Sequence, residues 1–520
     1  LLAFAVSTGS IGFCSYDMHT GQNLSYDGII DTEAEWIAGL QLENGAIAKS
    51  GKDPETNKYS VVPYFSNLTA LGHLDKPEYA PHVKQYMDWY LSHLNQPDYN
   101  NLYGTVYDYE YIEENGRLVE RSLGSYDSTD SYAATFLSLL RKYYEVTGDM
   151  QYLVDNKGKI DQIANVMVAT LDDGLTWAKP DYKVKYLMDN AEVYKGFADM
   201  AWIYENVYQD SDRTDTYKNY RDIVAAKIEE RLWDGERGLY RHYMFEDGSR
   251  AATDMRNFYA DATAQLFPIW TGMIDANSER ALSLYNTFNK YHPGWPVLDK
   301  GDAFPWAIIA YTAAIMGDKT RVDTFLDSVK DTYIDNNHAW PWYCMEAGMT
   351  MLAASRAKSL QAENRSMSVT SPAEGEVIKS LPFSISGTSQ NIDKVEIRIV
   401  NGVTQAVQEA EVSTLPDGSW NYTVSSALNS GYNITVKAKD RFNNVYSTVE
   451  LEYRVAVDTG KPQLASAEIK SDKNILKRGE TANLSIEGLL HNGEPAPVEE
   501  AVIEYVTNRP DLVAIFDNGS

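Results

Sequence analysis

The sequence contains almost no cysteine. Only Cys14 and Cys344 occur among its 520 residues, which is too few for a disulfide framework or a thiolate metal site. Long apolar runs are also missing. No stretch reaches the roughly 20 consecutive apolar residues that a membrane helix needs, so the sequence predicts no membrane span.

Basic residues are in the minority. There are 46 Lys plus Arg against 74 Asp plus Glu, which gives a formal net charge of −28. Nucleic acids require clustered positive charge, so the composition argues against a nucleic-acid partner. It argues more mildly against a polyanionic substrate, because a local basic patch would reverse that conclusion. No Gly-rich phosphate loop, dinucleotide motif or EF-hand spacing stands out, and we expect neither a cofactor nor a metal.

The residues that are present indicate a soluble multidomain protein. The hydrophobic share of 44% is typical of globular chains, and 520 residues exceed the usual size of one domain. Aromatic residues are plentiful, with 37 Tyr and 11 Trp. Many of these aromatics must pack in cores, and the rest could stack against sugar rings.

Both ends of the sequence look cut. The N-terminal segment, residues 1–30, opens with 13 uncharged residues that follow no initiator Met. It is either the remainder of a secretion signal whose basic start is missing or a buried part of the fold. Phe13 is too large to precede a lipidated Cys14. The C-terminal pattern stops abruptly at Ser520.

Helical spacing of apolar residues dominates up to residue 362 and predicts twelve helices. The predicted ranges are 31–42, 64–74, 78–94, 129–147, 150–170, 189–208, 212–232, 256–271, 276–289, 303–316, 319–333 and 341–360. Asp127, Asp189 and Asp302 stand at or just before three helix starts, where aspartate is a favoured N-cap.

Twelve antiparallel helices form six hairpins, which must close on themselves or stack as a solenoid to bury their apolar faces. We find no fixed-period repeat, which weakens the solenoid alternative. Helices that start near 64, 129, 189, 256, 303 and 341 are rich in Ala, Gly, Trp and Tyr, as a buried inner ring requires. The intervening helices alternate charged and apolar residues. The sequence therefore predicts an all-α (α/α)6 toroid over residues 31–362.

Short alternating runs replace the helical pattern after a linker at 362–367. Residues 394–399 alternate strictly, as do 432–438, and Asn401-Gly402 and Asp417-Gly418 supply turn signals between runs. Residues 368–456 thus predict a β-sandwich. Residues 464–520 start a further β segment that ends in mid-pattern, which indicates an incomplete sandwich.

Polar residues at the starts of the inner helices should converge, because all six inner helices run in the same direction. These starts carry a series of carboxylates interleaved with aromatic side chains. Glycoside hydrolysis needs one protonated carboxylic acid and a second carboxylate, so we predict Glu192 as the general acid and Asp130 as the base. The residues predicted to contact substrate are Asp127, Asp189, Asp261, Asp302, Trp177, Trp295, Trp306 and Trp342.

Each of these residues also has a structural interpretation. Asp127, Asp189 and Asp302 could simply cap helices, while Asp130 and Glu192 could favour a helix dipole. Asp261 could be a buried hydrogen-bonding residue. Trp177 and Trp295 could anchor their loops. Capping alone, however, does not predict so many deep carboxylates at one end of a toroid.

Residues 31–360 resemble the six-hairpin glycosidase superfamily of bacterial (α/α)6 enzymes. The resemblance lies in residues 35–47 (EWIAGLQLENGAI), 127–132 (DSTDSY), 189–194 (DNAEVY) and 261–266 (DATAQL). The first stretch is similar to the opening helix and substrate-side loop of glucoamylase-like proteins. The resemblance implies a carboxylate-catalysed, inverting hydrolase acting on an oligo- or polysaccharide.

The later segments resemble bacterial Ig-like modules. The stretch at 369–375 (VTSPAEG) carries this likeness for 368–456, and 469–473 (IKSDK), 479–482 (GETA) and 508–513 (NRPDLV) carry it for 464–520. Such modules imply a secreted or cell-surface bacterial protein and would allow cell-wall association.

Two other functions stay open at this point. A polysaccharide lyase can also use an α/α toroid, with His242 as the best-placed base. A non-catalytic surface protein that binds glycans would fit the Ig-like modules, although a binder gains little from burying carboxylates that repel one another.

Overall fold

The protein is described by a computed structural model that covers residues 25–360, 364–457, 464–472 and 484–490. Residues 1–24, with Cys14 and the candidate secretion signal, lie outside the described residues, and so does most of 464–520. The chain divides into two compact units between Asn364 and Arg365, and the first unit also includes Arg441–Asn444. No described helix is long and apolar enough to cross a membrane.

The first unit is helical. Its α-helices are α1 (Tyr26–Gly39), α2 (Pro63–His73), α3 (Ala80–Ser92), α4 (Asp130–Thr147), α5 (Met150–Asp155), α6 (Lys157–Ala169), α7 (Leu187–Ile203), α8 (Ser211–Arg231), α9 (Phe267–Trp270), α10 (Glu279–Tyr291), α11 (Ala307–Met316), α12 (Lys319–Thr332) and α13 (Cys344–Ser359). Short 3₁₀ and π turns cover Pro77–Tyr79, Tyr204–Tyr208, Phe258–Ala262, Thr263–Leu266, Trp295–Val297 and Ile334–Asn336.

All twelve predicted helical segments are helical, and two of them are interrupted. The segment predicted at 150–170 divides at Asn156 into α5 and α6. The segment predicted at 256–271 is a π turn, a 3₁₀ turn and the short α9 in succession, with Pro268 at the start of α9. The inner wall of the toroid is therefore irregular at this one position.

The inner helices close into a ring, which confirms the toroid. Successive contacts run from α2 to α4, α7, α9, α11 and α13, and α13 returns to α2. The outer helices pack outside them, as α8 does on α7 and α12 on α11. The return contact is very close, because a Cβ on Gly72 of α2 would stand 2.0 Å from the carbonyl oxygen of Gly348 on α13.

Short strands lie in the loops of the helical unit. They are β1 (Lys58–Val61), β2 (Tyr109–Glu114), β3 (Arg117–Ser122), β4 (Leu171–Asp172), β5 (Leu175–Thr176), β6 (Val184–Tyr186), β7 (Trp233–Asp234), β8 (Leu239–Tyr240) and β9 (Tyr243–Phe245). Strands β1, β2 and β3 form one antiparallel sheet, and β6 pairs with β9. These pairings fix the loops that lead into α2, α4 and α7.

The second unit is all-β, with strands β10 (Ser366–Ser371), β11 (Val377–Ile378), β12 (Phe383–Gln390), β13 (Lys394–Asn401), β14 (Val407–Ser413), β15 (Ser419–Val424), β16 (Gly431–Lys439), β17 (Val445–Val455), β18 (Leu464–Ser471) and β19 (Leu484–Leu490). Up to β17 they form a sheet in the order β10-β12-β15 and another in the order β11-β17-β16-β13-β14. Ile385 and Trp420 from the first sheet share a core with Ile397 and Val436 from the second. This is the predicted sandwich, and β18 and β19 form a further hairpin.

Candidate functional site

A cavity of about 1100 Å³ opens at the end of the toroid where the inner helices begin. Every inner helix, or the loop that leads into it, contributes to the wall. The contributing residues are Tyr64 and Phe65 from α2; Asp127, Ser128, Ser131 and Tyr132 around the start of α4; Tyr186, Met188 and Asp189 around the start of α7; Tyr259, Ala260 and Phe267 before and in α9; Asp302, Phe304, Trp306 and Ile308 around the start of α11; and Trp340, Tyr343 and Met345 around the start of α13. The predicted convergence of the helix starts is thus present.

Four carboxylates face the cavity: Asp108, Asp127, Asp189 and Asp302. The capping interpretation is wrong for the last three. The N-cap residues of α4, α7 and α11 are Thr129, Tyr186 and Trp306, and none of these helices has a side-chain cap. Within the described residues, none of the four carboxylates forms an ion pair with Lys or Arg. These carboxyl groups are therefore available to a ligand in the cavity.

Asp189 has the most perturbed environment of the four. Burial raises the pKa of its carboxyl well above the ordinary range, and the nearby carboxylates of Asp130, Glu192 and Asp127 raise it further. Both effects favour the protonated form of this carboxyl. Asp127 differs, since its side chain is exposed to the opening. The cavity thus combines a recessed acid with an accessible carboxylate.

Asp108 lies on the loop between α3 and β2. Partial burial raises the pKa of its carboxyl to about 7, although Tyr132 opposes this by donating a hydrogen bond to Oδ1 at 3.0 Å. The sequence analysis did not single out this aspartate. The available signal was a carboxylate set among the four tyrosines of residues 103–111.

Asp302 is held beside an aromatic ring. Its Oδ1 accepts hydrogen bonds from the Trp306 indole Nε1 at 2.9 Å and from the Phe304 amide at 2.8 Å. Trp306 itself has a left-handed backbone, with φ of 64°. The buried Glu346 carboxylate accepts from its amide at 3.1 Å and from the Ala307 amide at 2.6 Å. Glu346 therefore fixes the start of α11.

The two residues predicted as catalytic do not reach the cavity wall. Asp130 is fully buried, and its carboxylate accepts from the Thr176 hydroxyl at 2.5 Å and the Ser128 hydroxyl at 2.9 Å. Glu192 is 2% exposed and accepts from the Tyr64 hydroxyl at 2.7 Å. Burial raises the pKa of Asp130 to about 6 and that of Glu192 well above its ordinary value. Both carboxyls lie one layer behind the wall.

Asp261 is also behind the wall. Its Oδ1 accepts from the Asp254 amide at 2.6 Å, and its Oδ2 lies 3.6 Å from Nε2 of His242. His242 does line the cavity, and its Nδ1 lies 3.0 Å from the Thr253 hydroxyl. Burial lowers the pKa of His242 while Asp261 partly offsets this effect. Asp261 thus orients a cavity residue instead of facing the cavity.

Of the four tryptophans predicted to contact substrate, only Trp306 lies in the wall. Trp295 is fully buried, with its indole Nε1 donating to Asn289 at 2.8 Å. Trp342 is fully buried as well, and its Nε1 donates to the buried Glu33 at 3.1 Å. Trp177 is half-buried outside the lining set, with the Lys183 ammonium 4.5 Å from its ring centroid. These three residues support the loops around the cavity.

Tyrosine supplies most of the aromatic wall that sequence reasoning missed. The lining includes Tyr64, Tyr132, Tyr182, Tyr186, Tyr243, Tyr259 and Tyr343. Tyr259 and Trp340 are 58% and 59% exposed, and Trp340 has the Lys49 ammonium 4.9 Å from its ring centroid. Period-based analysis assigns such residues to packing, because it cannot tell which ring faces open space. Among the described residues, no cluster of three or more His, Cys, Asp or Glu could hold a metal ion.

No protein-family model and no curated protein matches the chain. Solved structures with similar folds include a GH63 mannosylglycerate hydrolase from Thermus thermophilus in complex with glucose. It is 13% identical with a TM-score of 0.44, over 63% of this chain and 99% of that chain. An inactive variant of the alpha-1,6-mannanase GH76A of a Salegentibacter species is 12% identical with a TM-score of 0.41, over 65% and 100%. A family 15 glucoamylase from Hypocrea jecorina is 10% identical with a TM-score of 0.44, over 83% and 99%. At these identities, the likeness concerns the fold alone.

Proposed function

We propose that the helical unit is a glycoside hydrolase acting on an oligo- or polysaccharide. The observation that carries this proposal is the cavity wall, which combines four carboxylates with exposed aromatic faces. Sugar hydrolysis requires a carboxyl pair of opposite protonation state. Aromatic rings offer apolar faces to the C–H faces of sugar rings. The cavity volume also exceeds the range of about 300–1,000 Å³ typical of small-molecule pockets, which suits a chain of several sugars.

We assign Asp189 as the general acid and Asp127 as the general base. A catalytic carboxyl must come within hydrogen-bond reach of the substrate, which favours residues of the cavity wall over the buried Asp130 and Glu192. Asp189 faces the cavity and burial favours its protonated form. Asp127 is the most accessible carboxylate of the wall. Asp108 and Asp302 are left to bind sugar hydroxyls.

The reaction balances as a hydrolysis. The Asp189 carboxyl gives its proton to the glycosidic oxygen while the bond from that oxygen to the anomeric carbon breaks. Asp127 takes a proton from a water molecule whose oxygen bonds to the anomeric carbon from the opposite face. One water is consumed and the leaving sugar departs as an alcohol. Asp127 then releases its proton to solvent and Asp189 takes one up from solvent, which restores both groups. This course inverts the anomeric configuration.

The test uses the full chain and a panel of neutral and acidic glycans, with products read by mass spectrometry. We expect products heavier by one water, and proton NMR of the first product should show the inverted anomer. Asp189→Asn and Asp127→Asn should each lower kcat by at least about 100-fold, the scale of general acid–base catalysis. Glu236→Gln changes an exposed carboxylate outside the cavity and is the matched control. Asparagine variants with normal turnover would overturn the assignment.

A lyase is the second candidate, and one observation favours it. His242 lines the cavity beside Tyr243 and Tyr186, and Lys49 and Lys179 are also in the wall. Such groups could abstract a proton next to a uronate carboxylate and neutralise that carboxylate. The same experiment separates the candidates, because a lyase adds no water and leaves an unsaturated sugar that absorbs in the ultraviolet. Products without added water would replace the hydrolase proposal.

A further inference from the structure

Three tyrosine rings are stacked on the loops beside the cavity. Tyr99 lies over Tyr107, with ring centroids 6.0 Å apart and planes 11° apart, and over Tyr126, with 5.2 Å and 23°. Tyr107 and Tyr126 complete the set at 5.7 Å and 22°. We call these three residues the tyrosine platform. The three rings are nearly parallel and pack against one another, with Tyr99 as the outermost.

The platform is partly open to solvent. Tyr99 is 45% exposed, and Tyr103 on the same loop is 54% exposed. Tyr126, by contrast, is buried at 2% exposure. The outer ring of the platform therefore keeps a surface available to a ligand.

The loop beneath the platform is rigidly built. The buried Asp98 accepts hydrogen bonds from the Tyr126 hydroxyl at 2.8 Å and the Thr105 hydroxyl at 2.7 Å. It also accepts from the amides of Asn100 and Leu102, both at 2.8 Å. The Tyr107 hydroxyl in turn accepts from the Tyr99 amide at 2.9 Å. A ligand would meet a preorganised surface and pay little ordering entropy.

The platform is joined to the cavity wall through the backbone. Tyr107 precedes Asp108 and Tyr126 precedes Asp127, and both aspartates line the cavity. The amide of Asp108 bonds to the Ser125 carbonyl at 2.9 Å, which joins the two segments. Lys179 of the wall donates to the Tyr126 carbonyl at 3.2 Å. A substrate chain that left the cavity past Asp108 and Asp127 would come close to the platform.

Polar groups border the platform. The Asn100 amide Nδ2 contacts the Tyr126 hydroxyl at 3.0 Å and the exposed Asp181 carboxylate at 3.3 Å. Flat aromatic faces next to amide and carboxylate groups match a sugar ring, which has apolar faces and a hydroxyl rim.

We propose that the tyrosine platform is an outer sugar-binding subsite, over which the substrate chain extends from the cavity. This inference rests on the proposed carbohydrate substrate. It adds that the substrate is an oligomer or polymer longer than the cavity itself. It also places the substrate's exit on the side of Asp108 and Asp127.

The first test measures binding without turnover. The full chain carrying Asp189→Asn is run by affinity electrophoresis through gels containing soluble starch, yeast mannan or pectin. We expect at least one polymer to retard it, and Tyr99→Ala to weaken that retention about tenfold, which corresponds to about 1.4 kcal/mol. Tyr99→Phe keeps the aromatic face and should be retained like the parent. Equal retention of the alanine variant, or no retention by any polymer, would overturn the proposal.

The second test separates the subsite from catalysis. With the active chain, KM and kcat are measured on a size series, from the disaccharide upwards, of the glycan that the panel shows to be cleaved. Tyr99→Ala should raise KM for long oligomers about tenfold, with kcat and short substrates unaffected. An equal effect at all lengths would indicate general damage and contradict the subsite. Retention in gels without cleavage of any glycan would refute the hydrolase while leaving the subsite standing.

Discussion

Asp127 and Asp130, like Asp189 and Glu192, are three positions apart, and the first member of each pair faces the cavity while the second does not. Within α7, three residues of helix return a side chain to nearly the same face but carry it roughly 4.5 Å along the axis. Asp127 precedes α4 and Asp130 begins it. Asp127 therefore lies nearer the open end of the toroid than Asp130 does. The sequence predicted a ring of acids at the helix starts. The sequence could not show which of these acids face the cavity, because the depth of each acid below the cavity wall depends on where its helix begins.

At the residue scale, Tyr132 controls the proton on Asp108. Burial raises the pKa of Asp108 to about 7, and the Tyr132 hydroxyl lowers it by stabilising the ionised carboxylate. Tyr132→Phe removes only that donor. We expect the Asp108 pKa to rise above about 7, so that the carboxyl is protonated at neutral pH.

Carbon NMR of isotope-labelled aspartate carboxyls would measure this titration. The matched control is Tyr107→Phe, which removes a hydroxyl from the neighbouring residue without touching the Asp108 carboxylate. A midpoint in Tyr132→Phe that stays unchanged or moves down would contradict the assignment of the hydrogen bond.

At the scale of elements, the helix order and the ring closure were predictable, and the start of α11 was not. Apolar spacing and Ala- and Gly-rich inner helices reveal the toroid because closing the ring buries the apolar faces. The sequence suggested Asp302 as the cap of α11. The cap residue is Trp306 in a left-handed conformation, stabilised by Glu346 from α13. No local pattern predicts a carboxylate that arrives from another helix 40 residues later.

Glu346, a residue of α13, should therefore stabilise the start of α11. Glu346→Ala leaves the amides of Trp306 and Ala307 without their acceptor. We expect the free energy of unfolding to fall by on the order of 3 kcal/mol, since each unsatisfied buried donor costs about 1–3 kcal/mol. Because Trp306 holds Asp302 in the wall, KM should also rise.

Urea denaturation and near-ultraviolet circular dichroism would detect these changes. Glu346→Gln retains a carbonyl oxygen and should lose about half as much stability. The idea is refuted if the alanine variant unfolds at the parent's urea midpoint with an unchanged tryptophan signal.

At the scale of the whole molecule, composition predicted two kinds of domain, and the described residues form two units, each with a core of its own. Composition could not show where the acidic residues lie in the fold. A formal charge of −28 argues against nucleic acid, but it does not reveal that several carboxyls are buried around one cavity. Export, which the sequence suggests through its Ig-like resemblance, stays a prediction.

The buried carboxyls should make stability depend on pH in a definite direction. The pKa values of Asp108 and Glu346 are raised to about 7, and those of Asp189 and Glu192 are raised well above their ordinary values, in each case first by burial. A carboxyl with a raised pKa binds its proton more tightly in the folded state than in the unfolded state. Its contribution to stability is therefore lost as pH rises through the folded-state value.

Histidines mask this effect little between about pH 7 and pH 8, where they are largely neutral in the unfolded state. The pKa values of His73 and His242 are lowered by burial, so both are neutral in the folded state over the same interval. We expect the unfolding temperature to fall across this interval. Glu192→Gln still accepts from Tyr64 but cannot ionise, and it should make the decline shallower. Calorimetry of the parent chain and of Glu192→Gln at several pH values would measure the two unfolding temperatures. An unfolding temperature that rises with pH would show that these carboxyls are ionised in the folded chain.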